Sequence, residues 1–174
     1  MDEYIYNEAD GLFLKYGTRN PFVLLDCIGA VVTIVDTFDA NGLKGFCTIL
    51  NRTKFVVING KLHEYEQRLV AGHELGHLVI HEHEIQSSPN QTLKDFNLYD
   101  NSGRIEYQAN LFAADYMLDD NLVIELVQNE HMDFFSVAKE LYTSPHLLGF
   151  KLFSMAKRGY NVRTPISLNS KFLK

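Results

Sequence analysis

Two histidines four residues apart inside an apolar helical stretch constrain this chain more than any other feature. In "VAGHELGHLVIHEHE", Val70 to Glu84, four histidines and three glutamates fall within fifteen residues. Leu69, Leu75, Leu78 and Val79 recur at helical spacings, which predicts a buried helix from about Glu64 to His81. Each polar group buried there without a partner costs roughly 1–3 kcal/mol. The rest of the chain must therefore supply partners for this helix.

On a helix, the offset from His73 to His77 leaves the side chains about 40° apart around the axis and one turn apart along it. Two imidazoles so placed can reach one ion. Glu74 lies about 100° round from His73, beside the pair, where a carboxylate can accept a proton from a reacting water. This is the H-E-x-x-H arrangement of zinc peptidases. Gly72 and Gly76 each cost roughly 1 kcal/mol relative to alanine in mid-helix, so a close packing contact is expected there. His81 lies about 12 Å along the axis from His73, too far to share an ion with nitrogen ligands near 2 Å. His81 and His83 are expected to cap the helix C-terminus or to stay solvated.

A catalytic zinc site commonly has three protein ligands and one open position, so a third ligand must come from elsewhere. The segment "RIEYQANLFAADYML" offers Glu106, with Asn110 one turn on and able to hold a ligand imidazole. Asp115, Asp119 and Asp120 are competitors.

A length of 174 residues suits one domain, 1–174, with a core over about 1–120 and a helical subregion over 121–174. After a helix in "MDEYIYNEADGLFLKY" and a short one from Pro21, strands are predicted in "AVVTIVD", "GFCTIL" and "KFVVIN". Turn residues at Asn41-Gly42 and Asn51 to Thr53 separate them, and the last two form a hairpin. Helical patterns dominate from Arg104 onward. The order predicts an α+β fold: a small antiparallel three-stranded sheet packed on the H-E-x-x-H helix, followed by a helical C-terminal region. The polar stretch "SSPNQTLKDFNLYDNSG" reads as a loop of the kind that forms lids.

The acidic N-terminus and the absence of a run of roughly 18 apolar residues argue against a secretory signal or membrane span, leaving the cytoplasm as the expected compartment. Cys27 and Cys47 form no C-x-x-C pair and are expected to be buried thiols. The net charge of -6 divides into -11 over residues 1–130 and +5 over 131–174. Such a basic end serves as a solvated face, a partner surface or, as a minority reading, a nucleic-acid footprint. Within it, "VAKELYTSPHLLGFKLFSMAKRG" faintly resembles a helix-turn-helix, with Tyr142 where glycine is typical.

Between about residues 20 and 118 the sequence resembles the ImmA/IrrE metallopeptidases. The likeness runs through "NPFVLLDCIGAVVTIV", the glycine-led strand "GFCTIL", "FVVINGKLHEYEQRLVAGHELGHLVIH" and the E-x-x-A-N-x-F-A-A pattern of "IEYQANLFAADYML". The resemblance implies a zincin-like domain with zinc on His73, His77 and Glu106 and with Glu74 as catalytic base. Preferring Glu106 to the aspartates rests on it. It further implies an endopeptidase of narrow specificity that cleaves a helix-turn-helix transcriptional repressor of a mobile element or stress-response locus. Two departures concern packing: Met117 is followed by Leu118 where proline is frequent, and Gly72 stands where alanine is usual. A metal-stabilised module that sequesters a regulator without cutting it is the alternative. Intact Glu74 disfavours it, since binding alone needs no base.

Overall fold

Ten consecutive residues of the H-E-x-x-H helix, Leu69 to Leu78, are buried, so this helix needs cover on every side. The computed structural model describes residues 3–39, 42–88, 92–95 and 103–163. Along the chain run α1 (Glu3–Tyr16), α2 (Pro21–Cys27), β1 (Val31–Val35), β2 (Gly45–Leu50), β3 (Thr53–Asn59) and α3 (Glu64–Ile80). They are followed by α4 (Glu82–Ser87), β4 (Thr92–Asp95), α5 (Arg104–Met117), α6 (Asp120–Val127), α7 (Phe134–Glu140) and α8 (Pro145–Lys157). The central helix α3 packs on β2 and β3 on one side and on α5 on another, while α1 and α8 cover α5. Among the described residues no helix is long and apolar enough to cross a membrane.

The fold is mixed α+β, but the sheet departs from the expected three antiparallel strands. Its order is β1-β3-β2-β4. The β2–β3 hairpin forms as expected, turning at Asn51 and Arg52 with φ of 50° and 68°, the two positive values that a tight two-residue hairpin requires. β1, however, pairs parallel with β3, from Val31 opposite Phe55 to Val35 opposite Asn59. Alternating side chains report which face of a strand is buried, not which neighbour it takes, so sequence could not order the strands. The fourth strand comes from the segment read as a loop. Thr92 to Asp95 pair antiparallel with β2, and the Thr92 hydroxyl bonds that of Thr48 at 3.2 Å. An edge strand of four residues with one large apolar side chain leaves almost no periodic signal. Residues 89–91 and 96–102 of that stretch, and Asn41 of the first expected turn, lie outside the described residues.

At the start of α3, His63 and Glu66 form a reciprocal capping box. Just before it, the buried Asn59 ends β3 and donates through Nδ2 to the carbonyls of Asp39 (2.9 Å) and Leu43 (3.0 Å). Its Oδ1 accepts from the Lys61 N–H at 3.0 Å, so one side chain ties the β1–β2 connection to the approach into α3. α2 begins at Pro21 with Asn20 as its cap. Pro21, Leu24 and Leu25 point inward, and Cys27 falls out of that helical phase. Cys27 is exposed, contrary to expectation, while Cys47 is buried in β2.

The close contact foreshadowed by the mid-helix glycines lies between α3 and α5. A Cβ on Gly76 would stand 3.0 Å from the Ala109 carbonyl oxygen and 3.2 Å from its Cα. A Cβ on Gly72 would fall on the sulfur of Met117, which accounts for glycine where alanine is usual.

Helices α6, α7 and α8 enclose a second apolar cluster that includes Leu118, Val123, Val137, Leu148, Leu152 and Met155. α8 joins the two cores, because its Leu147 and Phe150 belong to the main one. α7 and α8 have a helix-turn-helix outline, with Tyr142 at φ 49° in the turn. Yet Leu147 to Leu152 are buried, so α8 is a core helix whose faces are occupied, not one free to enter a groove. The charge asymmetry is also partly internal. Lys151 and Arg158 of the basic end pair with Asp115 and Asp120 of the acidic part.

Two outcomes test this packing. Gly76→Val forces α5 away from α3 and is expected to cost about 1–3 kcal/mol of stability, the usual range for overpacking, measured by urea unfolding. The second concerns acid. Burial raises the Asp120 carboxyl, but the Arg158 hydrogen bond and the Lys151 charge outweigh it and hold the group down to about 2. Its folded value lies below its unfolded one near 3.9, so its stabilisation is present above about pH 4 and is lost as pH falls toward about 2. Asp120→Asn is expected to flatten unfolding free energy against pH in that window. Burial shifts Asp115 in the other direction, so an unchanged slope would assign the acid dependence to other carboxyls.

Candidate metal centre

His73 and His77 project from adjacent turns of α3 toward the first turn of α5, where Glu106 stands. The Nε2 atoms of the two imidazoles are 3.0 Å apart. Glu106 Oε2 lies 3.1 Å from His73 Nε2 and 3.5 Å from His77 Nε2. Ligand atoms of these three residues all fall within 4.8 Å of one another, and among the described residues they form the one such cluster of metal-ligating groups. Both histidines are buried, whereas a quarter of the Glu106 side chain is exposed. That exposure faces a cleft of about 550 Å³ between α4 and α5, lined by Glu84, Gly103 to Glu106 and Gln108. The site is thus enclosed on the α3 side and reached past Glu106.

The outer ring nitrogens decide whether a cation fits. His73 Nδ1 lies 2.9 Å from Asn110 Oδ1, an acceptor, so His73 donates from Nδ1 and keeps a lone pair on Nε2. Asn110 thus has the role expected from its i+4 spacing to Glu106. Two imidazole nitrogens and a carboxylate converging at about 3 Å present mutually repelling electron pairs, which a cation bound among them would relieve.

Glu74 is fully buried and stands apart from the three-residue cluster. Its carboxylate lies against β2, where a Cβ on Gly45 would come 3.1 Å from Glu74 Oε1 and 2.5 Å from Val70 Cγ1. The glycine that leads β2 therefore lets the sheet approach α3 at this carboxylate.

The competing aspartates are all engaged elsewhere. Asp115 faces Lys151 at 3.3 Å and accepts from Ser154 Oγ at 2.7 Å. Asp119 caps α6 and pairs with Arg19 at 3.2 Å, while Asp120 takes Lys151 and Arg158. Arg19 also donates to the carbonyls of Tyr116 (3.0 Å) and Asp115 (3.4 Å), closing the end of α5.

His81 is the residue that sequence reasoning misplaced. It does sit at the C-terminal cap of α3, but its side chain is buried and turned inward, while His83 is exposed as expected. His81 Nδ1 lies 3.1 Å from His77 Nδ1, and His81 Nε2 lies 3.2 Å from Gln108 Oε1. Gln108 Nε2 in turn donates to the Tyr4 hydroxyl at 2.9 Å. His81 is two turns from His73 but only one from His77, against whose ring it stands. Burial pushes the His81 imidazole down and favours its neutral form.

A buried H-E-x-x-H helix, a small mixed sheet and a glutamate brought in from a second helix define a metallopeptidase-like architecture. Residues 28–153 match the family model Peptidase_M78, the IrrE N-terminal-like domain, and the chain belongs to that family of metal-dependent peptidases. A relative, uncharacterized immunity region protein 2 of Bacillus phage phi105, is 29% identical over 119 residues, or 68% of this chain and 71% of that protein.

Zinc titration combined with urea unfolding separates the carboxylates. Glu106→Ala is expected to abolish high-affinity binding, and Asn110→Ala to weaken it about 10 to 100-fold. Asp115→Ala strands Lys151 and is expected to cost about 3–5 kcal/mol of stability, with zinc affinity of the folded protein unchanged. A larger loss of zinc from Asp115→Ala than from Glu106→Ala would contradict this arrangement.

Proposed function

We propose that this chain is a zinc-dependent endopeptidase of narrow specificity, acting in the cytoplasm on a helix-turn-helix transcriptional repressor. The observation that carries the reading is the convergence of His73, His77 and Glu106 with a separate, fully buried carboxylate on the next residue of the same helix. Family membership supports peptide hydrolysis, and the immunity region named for the phage relative supports a repressor as substrate. We further propose that residues 1–174 work as one domain, with a catalytic core over about 1–120 and the helical subregion 121–174 packed on it.

Zinc at this site would supply Lewis acidity and bring the pKa of water toward about 7. The protein contributes placement and proton handling. Asn110 holds His73 with Nδ1 protonated, so Nε2 faces the site. Glu74, lying one residue from a ligand and outside the ligand set, accepts the proton of the attacking water and returns it to the leaving amine. The extended substrate adds to an edge of the sheet by backbone hydrogen bonds, and side-chain pockets select its sequence.

Glu74→Gln retains the shape and hydrogen-bonding capacity of the side chain but removes its basicity. Zinc content and partner binding are expected to survive, while cleavage falls at least about 10² to 10⁴-fold, since one group handles both proton transfers. The measurement is co-expression with the candidate repressor at equal zinc loading, followed by mass analysis of fragments. Relief of repression by the mutant with the repressor uncut would replace proteolysis by sequestration.

A further inference from the structure

His77 reaches the cluster through Nε2, so a cation there requires a lone pair on that atom and a proton on Nδ1. Its Nδ1 faces another imidazole nitrogen, His81 Nδ1, at 3.1 Å. Two imidazole nitrogens can share a hydrogen bond in either direction, unlike the amide oxygen that fixes His73. The direction must be set further out. Gln108 presents Oε1, which can only accept, to His81 Nε2 at 3.2 Å, so His81 carries its proton on Nε2 and offers a lone pair from Nδ1. Gln108 Nε2 in turn donates to the Tyr4 hydroxyl on α1 at 2.9 Å. All bonds in this chain then run one way, from His77 outward to Tyr4. Turning the Gln108 amide over would reverse every bond and leave His77 Nε2 protonated toward the cluster.

We infer that His81 is a positioning residue, and that the His81–Gln108–Tyr4 relay holds His77 in the tautomer able to bind a metal. This rests on the metal-site reading above. The hydrogen-bond chain extends to α1, since its last member, Tyr4, belongs to that helix. Packing alone would not distinguish polar from apolar occupants of the buried site. The relay does: an asparagine at position 81 has an oxygen near the place of Nδ1, whereas a leucine of similar bulk cannot accept.

The test is zinc affinity of the full chain by competition with a chromophoric chelator. His81→Leu is expected to weaken binding about 10 to 100-fold, the range for partners that orient a metal ligand. His81→Asn and Gln108→Glu are expected to remain close to wild type, because both retain an acceptor where the relay needs one. Leucine binding as tightly as histidine, or asparagine as weakly as leucine, overturns the relay. Should His81→Leu fail to fold, nitrogen-15 NMR of the zinc-loaded wild type decides. The relay requires His77 protonated on Nδ1 and His81 on Nε2, and the opposite tautomer at His81 overturns it. A wild-type chain that binds no more zinc than His77→Ala is a different outcome, and it removes the metal site itself together with the relay.

Discussion

The approach of α5 to α3 is the contact on which the polar centre of this protein depends. Glu106 is on α5 and both histidines are on α3, so the separation of the helices sets whether three ligand atoms meet. At Gly76 that separation leaves no room for a methyl group, with Ala109 backbone 3.0–3.2 Å from where it would stand. Glycine in mid-helix is unfavourable by roughly 1 kcal/mol, and burial of α5 against α3 offsets it. Packing has priority here because interiors are close-packed and a shift of a few tenths of an ångström is felt.

The helix α5 also connects two polar networks of different character. Near its start, Glu106, Gln108 and Asn110 all face the histidines of α3 or their partners. Near its end, Asp115 faces Lys151 and Ser154 of α8, and Arg19 closes the last carbonyls. The second network anchors α6 and α8 on the main core. Breaking one partner of such a buried ion pair leaves an uncompensated charge and is costly, so the network resists rearrangement even where its net contribution is small. Held at both ends, α5 presents Glu106 at a fixed height opposite the two histidines.

Much of this was legible in the sequence where the signal is local and periodic. The hairpin strands, the limits of α2, the span of α3 and the helices after Arg104 all follow from spacing and turn residues. The two glycines of α3 announced a close contact without saying with what. Long-range choices were not legible: the parallel pairing of β1, the edge strand β4 and the placement of Glu106 beside the two histidines, which the resemblance alone singled out. His81 was misplaced for an instructive reason. Distance along the helix bears on a shared ion, but the same spacing of four that joins His73 to His77 also joins His77 to His81. Histidines at three successive turns of a buried helix carried that information.

Anomalous diffraction at the zinc edge from crystals grown with zinc tests the central claim most directly. The account predicts one strong site per chain, about 2 Å from His73 Nε2, His77 Nε2 and a Glu106 carboxylate oxygen, with one position left open. Zinc seated on Asp115, Asp119 or Asp120, ligation by His81 itself, or no site after reconstitution would contradict it.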